Sequence, residues 1–194
     1  MDAALAAEPS IGQSMPWAKI FLDYTDAVLG DLPDDDAALD YRPTDPQGAY
    51  VFSVREQAMH IADERLEALS WITGDAPDPG KFLLEYGGTD KPWQWRNGTR
   101  AEIIERAQQG RAALDAWLAK PRGTLFEVTD HIRSEFEKHN AKLLEGGKDI
   151  SERLARGPAP VLNILLFVVA HEQSHRTVLQ HMLRMQGHSV TRYA

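Results

Sequence analysis

The sequence predicts an all-α protein, a four-helix bundle with extra short helices in its connections. Three observations carry that expectation. Long segments repeat apolar residues at a spacing of three or four, the period of a helix with one buried face. Capping boxes open two of these segments, and Gly or Pro punctuates their ends. No convincing run of alternating apolar and polar residues marks a strand, and no internal repeat is visible.

In chain order, residues 1–14 read as a loose terminal arm, and residues 15–190 as a single domain of four-helix-bundle type. The first helix begins at Trp17, with Trp17, Ile20, Phe21, Tyr24, Val28 and Leu29 as its apolar positions. Gly30 and Pro33 end it. The acidic run "GDLPDDDAALD", Gly30 to Asp40, reads as a solvated loop within a proline-rich connection.

The second helix opens at Ser53, whose hydroxyl can accept from the Glu56 amide while Glu56 reaches back. Val54, Ala58, Ile61, Leu69 and Ile72 follow at helical spacing, and Gly74 closes the segment. A loop rich in Gly, Pro and Trp follows, from Asp75 to Gly98. It contains "KPWQWRNG", which reads either as the mouth of a pocket or as a cover for the bundle end.

Thr99 and Glu102 form the second capping box. Ile103, Ala107, Leu114, Trp117 and Leu118 make the apolar side of the third helix, and Pro121 stops it. "GTLFEVTD" reads as a short extended piece, and "EVTDHIRSEFEKHNAKLLEGG" as a further helix. The last helix runs from Pro160, suited to a first turn, to Gly187. Its first half, Leu162 to Val169, is apolar nearly all round, so it is expected to be buried.

Composition narrows function. The 194 residues carry a formal net charge of −8, which argues against nucleic acid as partner and against an anionic membrane surface. The longest apolar run, "ILLFVVA", is far too short to span a bilayer. The start lacks a basic segment before an apolar one, so the chain is expected to be cytoplasmic. The chain has no cysteine, which excludes disulfides, thiolate metal sites and a cysteine nucleophile. Any thiol chemistry needs a thiol from outside.

The chemistry concentrates in "HEQSH", His171 to His175. Residues four apart on a helix lie about 40° apart around its axis, one turn above each other. Two imidazoles so placed can share one metal. Polar groups at the end of so apolar a segment need partners, and a shared ion satisfies both. Glu172 lies about 100° from His171, within reach of a position behind the ligands.

The pattern H-E-x-x-H also belongs to zinc proteases. The long form of that motif needs a glycine where this chain has Val178. Without that break, His181 stands about 120° away from His175 on a continuing helix. Nothing acidic follows His175 to serve the other form. The third ligand is therefore expected upstream, and His60, in "AMHIADE", is the best candidate beside its reading as a satisfied core histidine. His131, His139, His181 and His188 read mostly as surface residues.

These residues resemble the DinB-like superfamily of bacterial four-helix-bundle proteins, which includes the YfiT-like thiol transferases. The resemblance rests on Leu39 to Glu64, where His60 precedes Ile-Ala-Asp, on "GTRAEIIERAQQG", and on "VVAHEQSHRTVLQHMLRMQG" from Val168 to Gly187. It implies a metal held by His60, His171 and His175, with nickel or zinc as the divalent ion. It implies transfer of a low-molecular-weight thiol, such as bacillithiol or mycothiol, to an electrophilic small molecule, and a homodimer. Glu172 would orient a ligand or relay a proton. Arg176 would hold an anionic group, unless it makes a structural salt bridge.

Three departures bear on the substrate. Thr177-Val178 replaces the family's frequent Gly-Gln, Ser174 stands where many members have a further histidine, and Lys120 to Gly157 is longer than usual. A non-catalytic, stress-associated binding protein with a structural metal is the first alternative, and a metal-dependent hydrolase the second. Thiol-dependent loss of an electrophile separates the thiol transferase from both alternatives.

Overall fold

The computed structural model describes residues 8–46, 51–75 and 98–192. These form helices α1 (Ile11–Ser14), α2 (Pro16–Gly30), α3 (Asp36–Leu39), α4 (Val54–Thr73) and α5 (Arg100–Leu118). A 3-10 helix at Arg122–Phe126 leads to α6 (Asp130–Glu145), α7 (Ser151–Arg156) and α8 (Val161–Met185). No strand occurs among the described residues, and no helix there is long and apolar enough to cross a membrane. The all-α bundle with short helices in its connections is thus observed.

Local chemistry places the long helices where the sequence does. Ser53 and Glu56 form the reciprocal cap of α4, and Thr99 and Glu102 that of α5. Gly74 ends α4 at φ 80°, a left-handed conformation that favours glycine. A Cβ at Gly74 would also stand 2.7 Å from Nδ1 of His131, so the end of α4 is packed tightly on α6.

α4 is the central helix. It packs along α5 and α8 and touches α6 and α3, while α2 lies against α8 and α5. Burial on several sides explains why so polar a helix hides Arg55, Gln57, Asp63, Glu64 and Arg65.

The core is divided by a polar layer. One apolar cluster holds Val28 and Leu29 of α2, Ala58 and Ile61 of α4, Ile103 and Ala107 of α5, and Leu179 and Leu183 of α8. The other holds Leu22 of α2, Leu69 and Ile72 of α4, Leu114 of α5, and Leu165 and Val168 of α8. Between these positions each helix carries polar residues: Thr25 on α2, Asp63 to Arg65 on α4, Arg106 on α5, and Glu172 and Arg176 on α8, all buried. Such groups are tolerated inside only when paired.

The structure corrects several expectations. The segment up to residue 14 is not loose throughout: Ser10 and Gln13 cap α1, and Ile11 is fully buried. An apolar side chain with a cavity to fill docks even near a terminus. "GTLFEVTD" is not extended at its start but turns into the 3-10 helix after Pro121. The acidic connection contains α3, whose Leu39 is buried while Asp36 and Asp40 bind Arg55 at 2.7 Å each. The first half of α8 is not buried all round, since Leu166 is 40% and Phe167 44% exposed. "KPWQWRNG" lies outside the described residues except for Gly98, as do residues 1–7 of the arm.

Candidate metal centre

The polar layer opens to solvent where α4 meets α8. His60 projects from α4, and His171 and His175 from consecutive turns of α8. One nitrogen from each ring lies within 4.8 Å of the other two. Nε2 of His171 and Nε2 of His175 are 2.9 Å apart. The His60 ring centre lies 5.2 Å from that of His171 and 4.3 Å from that of His175. Two helices more than 100 residues apart in sequence therefore bring the three expected residues together.

All three imidazoles are held neutral. Burial, with His175 and His171 adding, pushes His60 down to about 3. Burial and His171 push His175 down to about 4, and burial lowers His171. A neutral imidazole keeps the lone pair a metal needs.

Two further side chains of α4 hold the outer edges of the α8 rings. Glu64 Oε1 contacts Nδ1 of His171 directly. The amide nitrogen of Gln57 contacts Nδ1 of His175 and stands 3.2 Å from the His175 carbonyl oxygen. Neither Glu64 oxygen has a hydrogen-bond partner, and Oε2 lies 4.0 Å from Nε2 of His60. Burial, reinforced by Glu172 and Glu67, pushes Glu64 up to about 9 against the pull of Arg65.

The residues fit a divalent ion. Two imidazole nitrogens on one ion at about 2.0–2.1 Å stand roughly 3 Å apart, the spacing His171 and His175 already have. A cation beside Glu64 also offsets the cost of ionising a buried carboxyl group whose oxygens have no hydrogen-bond partner. Three neutral imidazoles suit zinc, nickel, iron or copper.

Glu172 and Arg176 have other partners. Both Glu172 oxygens are taken by Arg65, at 2.6 and 3.0 Å. Arg176 donates to Phe21 O and Thr25 Oγ1, each at 3.2 Å, and its guanidinium lies 4.3 Å from the Tyr24 ring centre. Both tie α8 into the bundle. His139 and His181 are exposed, and His131 and His188 are half-buried.

Sequence reasoning missed Glu64 and Gln57. Their signal was spacing: Gln57, His60 and Glu64 fall at i, i+3 and i+7, one face of a helix. Aromatic rings flank the cluster. Phe167 stacks on His171 at 5.0 Å, Trp71 leans on Phe167 at 5.6 Å, and Phe52 meets His60 edge-on at 5.9 Å.

The chain belongs to the DinB superfamily, whose family model matches residues 21–179, a span that includes all three histidines. It is also similar to the crystal structure of a DinB-like protein from Bacillus cereus ATCC 10987. The TM-score is 0.56 at 15% identity, with 96% of this chain and 99% of that chain covered. At that identity the likeness establishes the fold. No curated protein matches the chain.

Proposed function

We propose that the chain is a metal-dependent thiol transferase, with His60, His171 and His175 holding a nickel or zinc ion. The observation that carries a catalytic reading is exposure. The His60 and His171 side chains are 21% and 29% exposed, so the cluster faces solvent on one side. Structural sites are enclosed by four protein ligands, whereas catalytic sites keep a position open.

When bound, a divalent ion supplies a Lewis acid that favours the thiolate form of a thiol. In the overall reaction a sulfur–carbon bond forms and the bond from carbon to its leaving group breaks. The thiol proton departs with the leaving group. The chain has no cysteine, so the sulfur comes from a small-molecule thiol. Phe167 and Trp71, 44% and 41% exposed, offer apolar surface beside His171 for an electrophile. A homodimer in the cytoplasm belongs to the same reading.

The test uses untagged protein, metal analysis, and loss of a chromogenic aryl halide with and without a low-molecular-weight thiol. The expected result is about one metal per chain and thiol-dependent turnover, both lost in His60→Ala and His171→Ala. Turnover independent of thiol would point to hydrolysis. Bound metal without turnover would leave a non-catalytic binding protein. No metal after reconstitution overturns the reading.

A further inference from the structure

We infer that Glu64 and Gln57 are positioning residues that turn Nε2 of His171 and Nε2 of His175 toward a common ion. The inference rests on the three-histidine metal reading and adds to it the groups that set the ring orientations.

An imidazole binds a metal through one nitrogen only when the proton resides on the other. What the other nitrogen meets therefore decides whether the ring is ready to ligate. In this chain the outer nitrogens of both α8 histidines meet α4. Nδ1 of His171 touches a Glu64 oxygen, and Nδ1 of His175 touches the Gln57 amide. Their Nε2 atoms then face each other at 2.9 Å. Glu64 and Gln57 are buried, so water does not substitute for either.

One helix thus supplies His60 and both supporting groups. Glu64 and Gln57 lie four residues after and three before His60, so they flank it by one turn on either side. The two supports differ chemically. Glu64 holds its proton in the metal-free chain; with a cation beside it Glu64 would ionise, and as a carboxylate, which only accepts, it would fix the proton on Nδ1 of His171. A carboxamide can present its oxygen or its nitrogen. Gln57 now presents the donor Nε2 to Nδ1 of His175, 3.2 Å from the His175 carbonyl; a His175 that ligates through Nε2 carries its proton on Nδ1 and would require the amide to turn Oε1 toward it.

An alternative is that Glu64 is only a structural charge of the polar layer. The two roles separate because Glu64 is buried with no hydrogen-bond partner on either oxygen. Removing it relieves the metal-free fold while depriving His171 of its acceptor, so stability and metal affinity move in opposite directions.

The test measures zinc dissociation constants by chelator competition on the full chain, beside thermal unfolding of the metal-free proteins. Glu64→Leu is expected to weaken zinc binding about 10–100-fold while leaving the metal-free melting temperature equal or higher. Glu64→Gln, which keeps an acceptor without the charge, falls between Leu and the wild type. Gln57→Leu weakens zinc, and Gln57→Glu, which can only accept, binds at least as tightly as the wild type. Imidazole nitrogen-15 shifts are expected to show the Nδ1–H form of His171 in zinc-loaded wild type.

Wild-type zinc affinity in both Glu64→Leu and Gln57→Leu would overturn the inference and leave the three-histidine reading intact. Parallel loss of stability and affinity in Glu64→Leu would also overturn it, in favour of a structural role. Failure of the wild type itself to bind zinc would overturn both.

Discussion

Arg65 and Glu172 form a bidentate ion pair, Nε to Oε1 at 2.6 Å and Nη2 to Oε2 at 3.0 Å, with both side chains out of water. The pair joins α4 to α8 one residue from both Glu64 and His171. Arg65 also reaches Asp26 on α2 at 2.6 Å, and Asp26 meets Arg111 on α5 at 2.7 Å. One guanidinium thereby links α4 to α2 and α8, its Nη1 also donates to Ala107 O of α5 at 3.3 Å, and Asp26 adds a second link to α5 through Arg111. Removing one partner of a buried pair strands the other charge. Arg65→Met is expected to cost about 3–5 kcal/mol in urea unfolding. Arg65→Met with Glu172→Leu should recover part of that loss, because no carboxylate then remains stranded on α8.

Gly110 makes room for this arginine. A Cβ there would stand 2.9 Å from Cβ of Arg65 and 3.3 Å from its Cδ. Gly→Ala inside a helix ordinarily stabilises by up to about 1 kcal/mol. Here the crowding of α4 against α5 opposes that gain, and overpacking costs about 1–3 kcal/mol. Gly110→Ala is expected to lower the melting temperature, and an increase would show that the helices can part without loss.

Ile11 tests whether the start of the chain belongs to the core. It has no exposed surface and packs in the cluster that includes Leu114, Leu118 and Leu125. Truncating a fully buried isoleucine costs about 2–5 kcal/mol. Ile11→Ala is expected to destabilise by that amount in chemical denaturation. A change under about 0.5 kcal/mol, the range of surface substitutions, would restore the loose arm that composition alone suggests.

The metal-free protein has a defined pH dependence. His60 titrates near 3 and His175 near 4 when folded, against about 6.5 in an unfolded chain. Below pH 6.5 the unfolded state takes up protons that the folded state refuses, so these two groups lower stability as pH falls toward 4. Glu64 acts oppositely. Its folded value near 9 exceeds its ordinary one, so the folded state holds a proton that the unfolded chain releases. That contribution is full below about pH 4.5 and is lost as pH rises through 9.

Each group contributes at most about 1.4 kcal/mol per pH unit, and solvent screening reduces the share of the half-exposed His175. With two histidines against one carboxylate, stability from these groups is greatest near pH 6.5. Denaturant unfolding at pH 5, 6.5 and 8.5 checks this. Glu64→Leu should flatten the alkaline side, and His60→Leu the acid side.

Sequence and structure agree where local chemistry dictates the outcome. Ser53 with Glu56, Thr99 with Glu102, and Gly74 at positive φ define helix ends through bonds spanning a few residues. The pairing of His171 with His175 was legible for the same reason, since helical geometry fixes it. His60 was the best upstream candidate from the sequence itself, and the family resemblance weighed its ligand role against that of a satisfied core histidine.

What stayed hidden depends on packing between distant segments. Glu64 and Arg65 sit in "ADERLEA", which reads like any solvated helix face. They are buried because α5 and α8 close over both sides of α4. Their partners, His171 and Glu172, lie 107 residues further along. The reverse held for Phe167, which reads as core and is half exposed beside His171.

The contact between Ser10 and Pro121 has a topological consequence. Ile11 N donates to Lys120 O at 2.8 Å, and Arg122 N donates to Pro9 O at 2.9 Å. These two bonds clasp the start of the chain to the corner after α5, closing a loop that contains α2, α4 and α5. Local opening in proteins proceeds in cooperative units, reported by amide hydrogen exchange. The Ile11 and Arg122 amides share one clasp, so they are expected to exchange together, and whatever pulls the leading segment away also frees the exit of α5.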